Sequence, residues 1–186
     1  MRIIAGIAKG RRLKCPGGLR TRPTPDRVRE SVFSIIGQQL SGSRVLDLYA
    51  GTGAMGLEAM SRGADGVVFV EKDPLVLGVL RDNIAACGFE GKATIIRSPV
   101  LPFLRKGDLD GSFDLVFADP PYGGDKATLT LMALSKRAKS LQGCLIVMEH
   151  SPGDIVTPPA AMRVVENRKY GNTELTFLHL PGGEEA

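Results

Sequence analysis

The 186-residue sequence predicts an α/β domain built on a parallel sheet with helices over both faces. Three observations carry this. Short, near-continuous apolar strands alternate with helix-length segments from Arg44 onward, the pattern of strands buried on both sides. A GxGxxG loop (Gly51, Gly53, Gly56) links the first of these strands to the helix after it. Finally, the fourth strand stops in "FADPPYGG", Phe117 to Gly124. Pro120 and Pro121 cannot donate ladder hydrogen bonds, so Asp119 and Tyr122 fall at a strand's carboxyl end, where open α/β sheets bind ligands.

The elements follow in order. "RIIAGIAKGRRLKC" predicts two short strands around a Lys-Gly turn, a hairpin. "PGGLRTRPTP" is a loop rich in glycine and proline. Asp26 opens a helix to about Gln39, with Val28, Val32, Phe33, Ile35 and Ile36 on one face. Strands are expected at 44–48, 67–71, 93–97, 113–118 and 144–149, and helices at 54–62, 74–87, 99–106 and 127–139. "MRVVENRKYGNTELTFLHL" reads as a closing hairpin turning at Gly171-Asn172. Residues 1–25 are thus expected as an appendage, 26–180 as the main domain and 181–186 as a frayed tail.

Composition narrows the function. Hydrophobic residues make up 43% and charged residues 24%, which is globular rather than disordered. No apolar run approaches the ~20 residues of a membrane span, and the opening "MRIIAGIAKGRR" lacks a signal-peptide core. Cys15, Cys87 and Cys144 lie far apart without metal-ligand spacing, as expected of reduced thiols in a cytoplasm, and no metal site is expected. Net charge is +4 but uneven: residues 1–29 hold nine Lys or Arg against Asp26 alone. A basic arm rich in arginine points to a polyanion, with Arg2, Lys9, Arg11, Arg12, Arg20, Arg22, Arg27 and Arg29 as candidate RNA contacts. The plain alternative is a solvated arm.

The glycine loop and Glu71, twenty positions after Gly51, fit either a nicotinamide dinucleotide or S-adenosylmethionine (SAM). Asp47 favours SAM, because a carboxylate there could orient the methionine ammonium and would repel a pyrophosphate. Its alternative is a carboxylate satisfied by loop amides; that of Glu71 is a solvated strand end. In the fourth-strand corner, the Asp119 carboxylate and the rigid Pro120 carbonyl could both accept from an exocyclic amine. Its lone pair would then be freed for methylation while Tyr122 stacks on the base. A proline turn with a capping aspartate is the alternative.

These motifs carry a resemblance. "VLDLYAGTGAMGLEAMSRGA", "VEKD" and "DPPY" resemble class I SAM-dependent methyltransferases acting on exocyclic amines. "RIIAGIAKGRRL", "RPTPDRVRESVFSII" and "KYGNTELTFL" narrow this to the bacterial 16S rRNA guanine-N2 methyltransferases of the RsmD type. The resemblance implies a Rossmann-like, seven-stranded, mostly parallel sheet, SAM as donor, and a guanine in an assembled or partly assembled small ribosomal subunit as acceptor. It assigns SAM to Asp47, Tyr49, Ala50, Gly51, Thr52, Gly53, Glu71, Lys72, Ser98, Pro99, Val100 and Asp119. The amine falls to Asp119, Pro120, Pro121 and Tyr122. Arg22, Thr24 and Arg27 match a segment expected over the active-site mouth. One departure stands out: "RSPVLPFL" puts Pro99 where the family carries an acid for the adenine amine. Adenine then depends on backbone groups, Ser98, or packing by Val100 and Leu101, at a loss of roughly 1.5–3 kcal/mol if nothing compensates.

Other readings are an adenine-N6 methyltransferase on RNA or DNA, a nicotinamide-dependent dehydrogenase and a non-catalytic RNA-binding protein. No seam for dimerisation is evident, so a monomer is expected. His150 and His179 are expected to be structural, His150 near a pocket rim.

Overall fold

The computed structural model describes residues 1–16, 25–37, 40–106, 109 and 111–181. Arg20, Arg22 and Thr24, Gln38 and Gln39, and the tail 182–186 lie outside the described residues, and the first helix, expected to about Gln39, ends at Ile35 before Gly37 at φ 94. Seven strands form one sheet in the order β3-β2-β1-β4-β5-β7-β6. The chain divides into two compact units, Met1–Arg97 and Ser98–Ala186.

In the first unit, α1 (Asp26–Ile35) precedes β1 (Arg44–Leu48), α2 (Ala54–Ser61), β2 (Gly66–Glu71), α3 (Pro74–Cys87) and β3 (Ala93–Arg97). The three strands pair in parallel, with Leu46 opposite Val68 and Phe69 opposite Ile95. Four consecutive buried residues in β1 are what a strand covered on both faces requires. Helix α3 begins and ends as its sequence dictates. Asp73 accepts from the Leu75 and Val76 amides, Pro74 fills the first turn, and Gly88 closes the helix at φ 73.

The second unit holds α4 (Val100–Lys106), β4 (Leu115–Ala118), α5 (Lys126–Ser135), α6 (Ala138–Leu141), β5 (Leu145–His150), β6 (Arg163–Tyr170) and β7 (Thr173–His179). Strands β4 and β5 are parallel, whereas β7 runs antiparallel to both β5 and β6, turning at Gly171-Asn172 as expected. Edge strand β6 is mostly exposed and carries a bulge between Val164 and Glu166. The helix expected over 127–139 is broken: Arg137 leaves helical geometry and its Nε donates to the Leu104 carbonyl at 2.6 Å.

The N-terminal hairpin differs from expectation. Arg2 lies opposite Arg12, and Ile3 N donates to the Arg11 carbonyl, Gly10 N to the Ile3 carbonyl and Leu13 N to the Met1 carbonyl, so the hairpin forms but is short. The amides that would extend the ladder go elsewhere. Ile4 N and Ala5 N donate to the two Glu58 carboxylate oxygens at 2.7 and 3.0 Å, and Ala8 N donates to Ser61 Oγ. Glu58 is fully buried and also pairs with Arg62 Nε at 2.8 Å. The segment is therefore bound to α2. Glu58→Ala would strand two amides and a guanidinium, and we expect denaturant unfolding to show a loss of about 3–5 kcal/mol. Hydrogen exchange at Ile4 and Ala5 would rise more than at β1.

Candidate methyl-donor and amine-acceptor sites

The first unit gathers two carboxylates around the glycine loop. Asp47 is buried in β1, and its Oδ2 accepts from the Gly56 amide at 2.9 Å, nine residues on. That is the amide-satisfied arrangement for one oxygen, and no second hydrogen bond to this carboxylate exists among the described residues. Burial outweighs the Gly56 bond and, with the nearby Glu71 charge, pushes the Asp47 carboxyl up to about 8. A cation placed against it would be held by a group that has nothing else to neutralise it.

Glu71 closes the loop from the next strand. Its Oε2 accepts from Gly51 N at 3.0 Å, and its Oε1 from Lys72 N and Asp73 N at 2.7 and 2.9 Å. Three of about four acceptor positions are thereby filled. Room remains for one ribose hydroxyl; a second would have to share an oxygen or displace the Gly51 amide.

Between the carboxylates the backbone is tightly constrained. Tyr49 is the only non-glycine residue at positive φ (57°) among the described residues, a conformation that functional loops retain at a cost of about 1–3 kcal/mol. Gly56 lies so close to Phe69 that a Cβ would sit 2.4 Å from its ring, so the helix can start here only with glycine. Ala50 N bonds the Val70 carbonyl, and the Thr52 carbonyl accepts from Asn83 Nδ2 at 2.9 Å. Buried Asn83 also bonds both backbone groups of Lys14, tying the loop to the N-terminal segment. Sequence reading missed Asn83 and Glu58. The available signal was a polar residue on an apolar helical face, as in "LRDNI" and "GLEAM".

The second unit holds the acceptor corner. Buried Ala118 ends β4, exposed Asp119 follows, and Pro120 turns its side chain into the core. Tyr122 is 46% exposed, yet its hydroxyl donates to Glu149 Oε1 at 3.1 Å. Burial raises the Tyr122 hydroxyl above its ordinary range, the Thr173 hydrogen bond opposing, so it stays a protonated donor. Glu149, at the end of β5, was also missed; its signal was an acid closing the apolar run "LIVME". His150 is buried, with Nδ1 against the Ser151 carbonyl and Nε2 against Thr176 Oγ1. Ser98 and Pro99 precede α4, Ser98 Oγ donating to the Pro99 carbonyl at 3.0 Å. Val100 is buried.

Of the candidate RNA contacts, Arg2, Lys9, Arg11, Arg12 and Arg27 are exposed. Arg29 is a correction. It is fully buried, with Nη2 donating to the Arg2 carbonyl at 2.6 Å and to Asp26 Oδ1 at 2.8 Å, so it fastens α1 to the N-terminal segment and does not reach solvent. A charge count cannot see that burial. The three cysteines form no disulfide, and burial pushes the Cys144 thiol up to about 12. No helix among the described residues is long and apolar enough to cross a membrane.

Comparison with known proteins agrees with this architecture. The chain is 35% identical over 185 residues to a Bacillus subtilis protein provisionally named rRNA methyltransferase YlbH, covering 98% of this chain and all of that one. It is 35% identical over 161 residues to the Ribosomal RNA small subunit methyltransferase D of Haemophilus influenzae, covering 85% and 83%. An Escherichia coli structure provisionally titled methyltransferase yhhF superposes with a TM-score of 0.86 at 32% identity, covering 98% of each chain. The profile of the family described as "Conserved hypothetical protein 95" matches residues 1–179, and the chain belongs to that RsmD-like family of class I methyltransferase fold.

Proposed function

We propose that this protein transfers a methyl group to the exocyclic N2 amine of a guanine in small-subunit rRNA. The observation that carries this reading is the rigid corner after β4: an exposed carboxylate, two prolines and a tyrosine fixed through its hydroxyl. The donor is S-adenosylmethionine, which supplies an electrophilic methyl group on a cationic sulfur. Asp47, carrying a single hydrogen bond, would take the methionine ammonium. Glu71 would take a ribose hydroxyl while holding the Gly51 amide in place.

On the acceptor side, Asp119 and the Pro120 carbonyl would each accept an N–H of the amine and draw its lone pair out of the ring. As the nitrogen–methyl bond formed, the methyl–sulfur bond would break, the thioether product would leave, and the proton lost by nitrogen would pass to Asp119 or to water. Tyr122 would stack on the base, its ring angle set by Glu149. Exposed Arg2, Lys9, Arg11, Arg12 and Arg27 would carry phosphate contacts to small-subunit rRNA met at one end of the protein, which would act as a monomer in the cytoplasm. Adenine offers its N6 amine to the same two acceptors, so an adenine-N6 reaction is the second reading.

The first test is methyl transfer from labelled SAM to unmethylated small subunits, with naked 16S rRNA alongside and digested nucleosides identified by mass. The expected product is N2-methylguanosine, with Asp119→Ala slower by about 10²–10³-fold. N6-methyladenosine in its place would retain the acceptor corner and discard the guanine assignment. Tyr122→Ala should lower kcat/KM for subunits by about 10–100-fold, whereas Tyr122→Phe, which keeps the face, should stay within about fivefold. SAM affinity should be unchanged in both, as read by calorimetry.

Asp47 makes a pH prediction. Its folded-state value of about 8 lies above the unfolded 3.8, so between these limits the native state holds the extra proton. This contribution to stability is therefore lost as pH rises through that window, by at most about 1.4 kcal/mol per pH unit. Chemical denaturation of Asp47→Asn should lack that slope. A cation favours the ionised carboxyl, so SAM binding at pH 7 should release up to one proton, measurable by calorimetry in buffers of different ionisation heat. An unchanged proton count in Asp47→Asn would remove Asp47 from the cofactor site.

A further inference from the structure

A second recess lies in the N-terminal unit, apart from the glycine loop. It is a surface cavity of about 210 Å³ lined by Arg2, Ile3, Ile4 and Lys9 from the N-terminal segment and by Asp26 and Glu30 from the start of α1. That is below the roughly 300–1,000 Å³ of a drug-sized pocket and nearer the scale of one nucleobase. Its charges are segregated, cations on one chain segment and carboxylates on the other.

These charges are not equally engaged. One oxygen of Asp26 is taken by buried Arg29 at 2.8 Å, and the other faces Arg2 at 4.0 Å. The Lys9 ammonium and the Glu30 carboxylate make no side-chain hydrogen bond or ion pair among the described residues, although both line the same recess. Two opposite charges sharing a cleft without closing on each other suit a ligand that has an anionic group at one end and hydrogen-bond donors at the other. A nucleotide has both, and the surrounding excess of arginine and lysine selects a polyanionic chain over a peptide.

The carboxylate also selects the base. A carboxylate accepts two parallel donors at once, and guanine alone presents adjacent N1–H and N2–H groups on one edge. Adenine and cytosine set one amino group beside an acceptor, and uracil sets one N–H between two carbonyls that would repel Glu30. We propose that this cleft binds one guanine nucleotide of the RNA outside the methylated position, with its phosphate on Lys9 and Arg2 and its base edge on Glu30. The N-terminal segment then reads sequence near the target as well as adding charge. This rests on the reading above that the substrate is RNA.

The test titrates the full chain with GMP, AMP, CMP and UMP while following backbone amide shifts by NMR. GMP should shift the Ile3, Ile4 and Gly10 amides saturably and bind at least about tenfold tighter than the other three. Glu30→Gln should abolish that preference, because an amide replaces one acceptor with a donor. Lys9→Ala should weaken all four alike. Both positions are exposed, and unchanged unfolding midpoints and SAM affinity would exclude misfolding. Asp119→Ala protein should retain the cleft shifts, which separates this site from the acceptor corner. Equal binding of all four nucleotides, or GMP affinity unaltered in Glu30→Gln, would overturn the proposal. Subunit methylation without any cleft shift would overturn it too while leaving the methyl-transfer reading intact. GMP in the cleft with no methyl transfer would leave the cleft standing and remove that reading.

Discussion

The hydrogen bond from the Gly56 amide to buried Asp47 is the constraint on which the first unit depends. It joins the end of β1 to the first turn of α2 across a loop that must reverse within a few residues. That short loop is why Tyr49 sits at positive φ and why Gly56 lies against the Phe69 ring. Once α2 is placed in this way, Glu58 and Ser61 on the same helix collect the amides of the N-terminal segment. The glycine loop and the N-terminal segment thus share one helix. A shift of α2 would disturb both, since buried contacts at close packing transmit displacement rather than absorb it.

Regular elements were legible because their signals are local. Helix α3 could be read to the residue, since an N-cap aspartate, a proline in the first turn and a terminal glycine all lie within its own span. The closing hairpin declared itself in the same way through Gly171-Asn172. Glu58, Asn83 and Glu149 were not legible, because each acts on a group 27 to 69 residues away. The N-terminal hairpin forms but stays short for the same reason. Its Lys-Gly turn predicts two short strands, but Glu58 takes the Ile4 and Ala5 amides, and a charged acceptor forms the stronger bond. Arg29 shows the limit of charge counting: Asp26 three residues earlier and the Arg2 carbonyl draw it inside.

The corner after β4 was legible in its residue types but not in its support. "DPPY" by itself specifies an acceptor, a stiff backbone and an aromatic face. Orientation of that face comes from Glu149 at the end of a different strand. Glu149 is 7% exposed and Tyr122 46% exposed, so the hydroxyl end is held in the protein while the ring remains reachable. Such an anchor lowers the entropy lost when a base stacks, because the ring is already oriented before binding.

In the proposed reading, Pro99 changes how the adenine of the cofactor is recognised. A proline supplies no amide donor, and the Ser98 hydroxyl already gives its proton to the Pro99 carbonyl. What Ser98 retains is acceptor capacity, which suits an exocyclic amine but lacks the strength of a carboxylate. Val100 is buried and Leu101 half-buried, leaving Leu101 as the apolar surface a purine face could cover. In the proposed reading, the ribose and methionine contacts of the cofactor fall to the Asp47 and Glu71 carboxylates of the first unit. The fold holds both carboxylates in place, Asp47 by burial and Glu71 by three backbone amides. In the proposed reading, a chain without that acid relies on ribose and methionine contacts fixed before the cofactor arrives, and the glycine loop, with Tyr49 at positive φ and Gly51 N bonded to Glu71, is held in that way.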